Sequence, residues 1–516
     1  MTDRFPKLLA ALGLTAGTAA ALFYHQQGLT LSHYDAKAHL VVARRVLDSL
    51  TPEYSQIGAV WLPLPHVINL LPVQIDWFYR TGASAVAISV LSFALTCYAI
   101  ACLVLRVTGS RVGAAAAVAL IALDPNVLYL QSTPMTEPLL LGLMLFSIAL
   151  VFDWVEARER DRVQAKTGLP AGLSAEARSA KVEARQPNRV RTKAGWGLIF
   201  ACLTRYEAWL VTASVLALAA IALWRRGLSP VTALKETADL AIFPVLAIVL
   251  FFFHSWFTTG AWFVTGGFYV PDNVAHGNPY KAVMAVMYGM RMLIGRPVVL
   301  MAIAGVLWVL VRGLARREHA ASLVLLSLVA FMALPSYAFF QGHPFRMRYM
   351  VAPAVGASVF VGIVLGLLRG RARYGAAVAL ALWLAVNAKP LDAQAPMVQE
   401  AQWDVPFSRG RKNVTDCLMR EYHGELILAS MGSLAHYMQE LSQEGINIRN
   451  FVHEGNLPYW QEAIEAPKDR VGWILLEERA EGGDMLAARV RASSAFATGF
   501  VRVCADGGVA LYRAVK

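Results

Sequence analysis

Long apolar runs alternate with short polar segments along the chain, and the runs recur at lengths near those needed to cross about 30 Å of hydrocarbon at about 1.5 Å per residue. They predict membrane spans near 8–24, 84–105, 112–130, 137–153, 196–204 (short), 207–224, 238–257, 297–311, 320–340, 349–368 and 374–388. About eleven spans place the two termini on opposite sides of a membrane. Alternate loops collect the basic residues: Arg106 and Arg111, the stretch 158–193, Arg225, Arg226 and Lys235, Arg312, Arg316 and Arg317, then Arg369, Arg371 and Arg373. These loops are expected in the cytoplasm, with the amino terminus inside. Leu8 to Ala21, with the A-x-A-like "TAAALF", also fits a secretory signal, whose removal would leave the remaining orientation unchanged.

Three segments break the pattern. The first, "LSHYDAKAHLVVARRVLDSLTPEYSQIGAVWLPLPHVINLLP", follows the first span within a predicted outer loop, 25–83, and carries acids, histidines and arginines. Ser32 and Asp35 match a capping box ahead of an amphipathic helix in the membrane interface, with Leu40, Val41 and Leu47 toward lipid or neighbouring spans. Asp35 and His39 share a face of that helix. The second segment, 154–195, is rich in Ala, Arg and Glu and reads as a solvated, partly helical or disordered cytoplasmic linker.

The third begins near Lys389. "ELILAS", "IRNFVHE" and "VGWILLEE" read as strands, with "LAHYMQEL", "YWQEAIEAP" and "DMLAARVRA" as helices, and "FVRVCADGGVALYR" as a closing hairpin turning at Asp506-Gly507-Gly508. Residues 1–389 are thus predicted to form an all-α polytopic membrane domain and 390–516 a small extracytoplasmic α/β domain.

Composition agrees. The 516 residues are 57% hydrophobic and 16% charged, with mean hydropathy +0.48, which excludes a single soluble domain. The net charge of +12 is spent on loop placement and calls for no nucleic-acid partner. Cys97, Cys102 and Cys202 fall in spans, whereas Cys417 and Cys504 are alone in the last domain and could pair. There is no internal repeat, which disfavours an inverted-repeat transporter, and the charges sit at span ends rather than span centres.

Charges at membrane level are costly, so a set gathered on one side is a candidate site. On the predicted outer side the first loop offers Asp35, Lys37, His39, Arg44 and His66. "QSTPMTEPLL" offers Glu137, and "LTRYEAW" offers Arg205, Tyr206 and Glu207, two apart and so expected to take separate partners. The later loops add His254 and Tyr269, then Arg346, Arg348 and Tyr349 in "FFQGHPFRMRYM". Each has a plainer reading: an acid at the start of a span suits the helix dipole, and arginines there can snorkel to lipid headgroups. The histidines are too scattered for a protein-bound zinc site.

The acid after the first span, the interfacial first-loop helix, "TEPL", "LTRYEA" after a stunted helix, and "RMRYM" opening a late span resemble, in that order, the polytopic glycosyltransferases of the GT-C class. The likeness is greatest to bacterial family-39-type proteins related to protein O-mannosyltransferases and the lipid A aminoarabinose transferase, and it covers about residues 1–390. It implies transfer of a sugar from a polyprenyl-phosphate donor to a lipid, glycan or protein acceptor at the outer face of the bacterial inner membrane, with inversion. Matched by position, Asp35 is the catalytic base and Glu137 the second acid. The leaving phosphate calls for arginines, and Arg205, Arg346 and Arg348, with Arg44 and Lys37 behind them, are the candidate donor phosphate ligands. His39, His66, Tyr206, Glu207, His254, Tyr269 and Tyr349 are the candidate substrate contacts. Asp35 and Glu137 could share a divalent cation, Mg or Mn; no other cofactor is implied. A second acid beside Asp35, found in several relatives, is replaced by Ala36 and Lys37, and the "WWD" signature of oligosaccharyltransferases is absent. Another outer-face glycan polymerase or ligase, or a multi-span transporter, remains the alternative.

Overall fold

Each predicted span falls on a helix in the computed structural model, which describes residues 4–167, 185–264, 273–480, 482–492 and 494–515. Among the described residues, eight helices are long and apolar enough to cross a membrane: Phe5–Gln26, Ala83–Thr108, Glu137–Arg158, Glu207–Arg225, Pro230–Thr259, Arg296–Ala315, Arg317–Phe340 and Met347–Leu367. The protein is therefore a multi-pass membrane protein. Three of the predicted spans fall short for visible reasons. The run 112–130 breaks into Arg111–Ala122 and Pro125–Leu130, because the Asp124 side chain accepts hydrogen bonds from the N–H groups of Asn126 and Val127 and starts a new helix. The run 196–204 is the apolar end of Arg185–Cys202, whose first half is polar. Gly370–Asn387 opens with Arg371 and Arg373.

One helix was not foreseen. Pro279–Ile294 lies in a segment read as loop, with Asn278 as its cap. It buries Ala282, Val286, Gly289, Met290 and Leu293, a 3.6-residue stripe that the surrounding charges obscure. At the centre of the bundle, Val351–Leu367 is buried along nearly its whole length. Gly113 lets Arg111–Ala122 lie directly on it, since a Cβ there would meet the Gly362 carbonyl oxygen at 2.5 Å.

The helices also sort the charges. Glu137 and Glu207 open two spans whose far ends carry Arg158 and Arg225. At that far end Arg158 pairs with Glu236 at 2.6 Å, Arg106 with Asp153 at 2.5 Å, and Arg226 with Glu156. The basic loops thus come together at the end of the bundle opposite Glu137. Of the predicted linker 154–195, the parts up to Thr167 and from Arg185 are helical, and 168–184 lie outside the described residues.

The C-terminal segment forms a five-stranded sheet, β1 (Ile427–Ala429), β2 (Phe451–Val452), β3 (Trp473–Glu477), β4 (Phe500–Asp506) and β5 (Val509–Ala514), in the order β2-β1-β3-β5-β4. The first three strands are parallel, each return being made through a helical segment, and the β4–β5 hairpin adds on antiparallel. Its two-residue turn needs Gly507 and Gly508, which both have positive φ. Cys417 and Cys504 form a disulfide that ties the helix Val405–Met419 to β4.

The first-loop helix departs from expectation. Tyr34–Arg44 has ten buried residues, and Leu40 and Val41, expected toward lipid, share a core with Leu434, Tyr437, Met438 and Leu441 of the C-terminal domain. An amphipathic pattern identifies a covered face without saying what covers it. Here the cover is protein.

Candidate active site

Asp35 sits in the first turn of this buried helix. The capping box is not formed. His33 is the cap, its Nδ1 accepting from the Asp35 N–H at 3.1 Å, while the Ser32 hydroxyl bonds the Leu29 carbonyl and the Tyr129 hydroxyl. This leaves the Asp35 carboxylate free to reach across 313 positions in sequence to the guanidinium of Arg348, with which it makes a buried ion pair. Burial opposes ionisation of Asp35, but Arg348, with His33 and His39 in support, outweighs it and holds the carboxyl well below its usual range. Arg348 also donates to the Tyr349 hydroxyl at 3.3 Å, and its Nε is buried with no acceptor. Arg346 lies two residues earlier, its charge felt by His33, Tyr34 and Glu400.

A second pair stands beside the first. Arg205 Nη1 is 3.0 Å from Glu137 Oε1 and 3.0 Å from the Thr136 hydroxyl. Its Nη2 and Nε grip Glu207 at 2.7 and 3.1 Å. Separate partners were expected for Arg205 and Glu207 because residues two apart on a helix diverge. Arg205 precedes the helix that Glu207 opens, so the helical rule does not apply. Glu137 is buried, and neither of its oxygens receives a well-directed hydrogen bond.

His39 and His66 meet at 3.1 Å, Nδ1 to Nε2, with the Trp61 ring 4.2 Å from that of His39. Burial first, and then the neighbouring ring, keeps His39 well below the usual imidazole value; burial and Arg45 bring His66 to about 3. Both are neutral at pH 7. They line a small cleft of about 30 Å³, whose other polar walls are Asn69, Ser89 and Thr136.

The remaining predicted residues lie elsewhere. Lys37 pairs at 2.5 Å with Glu440 of the C-terminal domain. Arg44 is consumed by Asp48, Asp76, the Val73 carbonyl and Asn447, over the face of Tyr79. Tyr206 and His254 hold the first loop down by bonding the carbonyls of Ala59, Val60 and Gly58. Tyr269 lies outside the described residues. For a divalent cation, Asp35 and Glu137 are each already matched to a guanidinium. Among the described residues no three His, Cys, Asp or Glu side chains cluster as ligands.

Sequence reasoning missed His33, Thr136 and Glu400. The carboxylate of Glu400 accepts from the backbone N–H groups of Met347 and Arg348. A cap supplied from some fifty residues away leaves no local signal.

No protein-family model and no curated protein sequence matches the chain. Among solved structures, ArnT from Cupriavidus metallidurans in the apo state superposes over 96% of this chain and 96% of its own, with 15% identity and a TM-score of 0.54. The chain has the GT-C fold. The Archaeoglobus fulgidus oligosaccharyltransferase, tethered by a disulfide to an acceptor peptide containing the NVT sequon, matches over 92% of this chain and 72% of its own, at 12% identity and a TM-score of 0.46. In this chain's version of the GT-C fold, the paired acids and arginines gather where the first loop and the C-terminal domain close over one end of the bundle.

Proposed function

We propose that the protein is an inverting glycosyltransferase that moves a sugar from a polyprenyl-phosphate donor to an acceptor hydroxyl at the outer face of the bacterial cytoplasmic membrane. The observation that carries this reading is the buried pair of Asp35 and Arg348, flanked by Arg205 and Glu137 at the starts of spans. The GT-C fold, and the aminoarabinose transfer performed by a protein that shares it, support the same chemistry.

The residues divide the work. Arg348 and Arg205, with Arg346 beside them, supply planar donors to the donor phosphate, whose negative charge grows as the bond from the anomeric carbon to the phosphate oxygen breaks. The departing lipid phosphate is a weak base and needs no general acid. Asp35 accepts the proton of the acceptor hydroxyl as its oxygen bonds to the opposite face of the anomeric carbon. A donor phosphate competes with Asp35 for Arg348, so donor binding releases the base and raises its proton affinity when an acceptor is to be activated. The cleft lined by His39 and His66 holds neutral hydrogen-bonding groups suited to hydroxyls, and is assigned to the acceptor side. Lys37 and Arg44 serve the joint with the C-terminal domain instead of the phosphate.

The test is direct. The protein in lipid nanodiscs is supplied with polyprenyl-phosphate pentoses and hexoses and with lipid, glycan and peptide acceptors. The expected product carries the sugar with inverted anomeric configuration. Turnover only with polyprenyl-diphosphate oligosaccharides, or sugar translocation without bond formation, would overturn the reading.

A further inference from the structure

The C-terminal segment bonds the backbone of Arg348 and holds the neighbours of Asp35, by separate means. On the arginine side, the short helix Pro396–Ala401 is fixed to the membrane bundle: Met397, Val398 and Ala401 are buried in its core, and the Met397 N–H bonds Asn126 at 2.9 Å. From there Glu400 places one carboxylate oxygen on the N–H of Met347 and the other on that of Arg348, at 3.3 Å for the latter. These are orphan donors at the start of the helical segment that carries Arg348 into the bundle. On the aspartate side, Trp403 packs edge-on against Tyr34 at 5.6 Å, and Glu440 holds Lys37, two positions after Asp35.

We infer that Glu400 is a positioning residue, which sets the backbone of Arg348 so that its guanidinium faces Asp35 and the donor phosphate, and that the C-terminal segment thereby completes the active site. The inference rests on the glycosyltransferase reading for its consequence, though not for its geometry. A fork of two backbone hydrogen bonds fixes the orientation of the first turn as well as its position. The side chain of Arg348 is long, so a small rotation of that turn moves its donors by a large fraction of a hydrogen-bond length. Misplacement of a catalytic group by about 1 Å costs about 10²-fold in rate. Both oxygens of Glu400 are engaged with backbone N–H groups, which makes it a positioning residue and not a substrate ligand.

The variants are Glu400→Gln, which keeps one acceptor oxygen, and Glu400→Ala, which keeps none. In the full chain in nanodiscs, amide hydrogen exchange across Met347 and Arg348 should quicken in the order wild type, Gln, Ala, while exchange within Val351–Leu367 stays unchanged. Turnover of the polyprenyl-phosphate sugar that the wild type uses should fall in the same order, by about 10²-fold for Ala. Donor KM and the affinity for undecaprenyl phosphate should move less than about threefold, since the charges that hold the phosphate remain. Unchanged exchange in both variants overturns the inference. So does a loss confined to donor KM, which would make Glu400 a charge in the binding site. If the wild type transfers no sugar from any donor, the proposed function fails by itself, and exchange together with undecaprenyl phosphate affinity decides this inference.

Discussion

Two buried ion networks lie on either side of the first-loop helix, and they are built to opposite standards. In the C-terminal domain every nitrogen of Arg411 is bonded to a carboxylate: Nε and Nη2 donate to Glu440 at 2.9 and 2.7 Å, and Nη1 and Nη2 to Asp404 at 3.0 and 2.6 Å. Glu440 takes Lys37 as well. Near the span ends, Arg348 leaves its Nε without an acceptor, and Glu137 makes no well-directed hydrogen bond with either oxygen. A buried polar group left unbonded costs about 1–3 kcal/mol. The fold engages every nitrogen of Arg411 and leaves Arg348 Nε unmatched, as it also leaves Arg158 Nε and Arg225 Nε at the far end of the bundle. The first network joins domains. Under the proposed function, the second offers its donors and acceptors to the substrates.

Substitutions in the two networks should therefore fail in different ways. At the open network, Arg348→Ala should lower sugar transfer by about 10²- to 10³-fold, as for loss of one donor to a developing anion; it also leaves Asp35 buried without its partner, so some stability is lost while the protein stays folded. Arg348→Lys should also be impaired, because the ammonium keeps the charge and loses the planar fork. Steady-state transfer together with thermal unfolding in nanodiscs checks both, and a wild-type rate in the Ala variant would close the distinction between the networks. At the first network, Arg411→Ala strands Asp404 and Glu440 and should destabilise the C-terminal domain by about 3–5 kcal/mol. A denaturant titration followed by tryptophan fluorescence of Trp473 and Trp460 measures this. Cys417→Ser is a comparison within the same domain that touches neither network. Opening a link across 87 residues should cost up to about 4 kcal/mol in the chain-entropy model, read by the same titration with and without reductant, and leave transfer intact at ambient temperature.

Much of this architecture is legible along the chain, and the exceptions have one cause. Span positions follow from local hydropathy, and the β4–β5 hairpin from the run Asp506-Gly507-Gly508, because both are local properties. Local reading fails where a distant segment supplies the partner. Leu40 and Val41 looked lipid-facing because nothing nearby in sequence covers them, and Lys37 and Arg44 looked like phosphate ligands because Glu440 and Asn447 lie some four hundred positions away. Tyr206 and His254 bond backbone carbonyls, which every residue carries, so no sequence pattern marks them. The candidate site was visible as a set of residue types on one side of the bundle. Its pairing, Asp35 with Arg348 and Glu137 with Arg205, needed the fold.

Asp35→Asn tests the central claim most directly, measured as sugar transfer at saturating and at limiting donor across a pH series. The amide keeps the size of the side chain and can still accept a hydrogen bond from Arg348, but it cannot take a proton. The account predicts a folded protein that binds donor and transfers sugar about 10²- to 10⁴-fold more slowly. In the free wild-type protein Asp35 is held well below its usual range by Arg348, so it stays ionised until the pH falls below the usual carboxylate range. Donor binding draws Arg348 away, so the acidic limb of kcat should lie at higher pH than that of kcat/KM, and this pH-dependent loss should be absent from Asp35→Asn. Transfer by Asp35→Asn at the wild-type rate, with the wild-type pH profile, would contradict the assignment of Asp35 as the base.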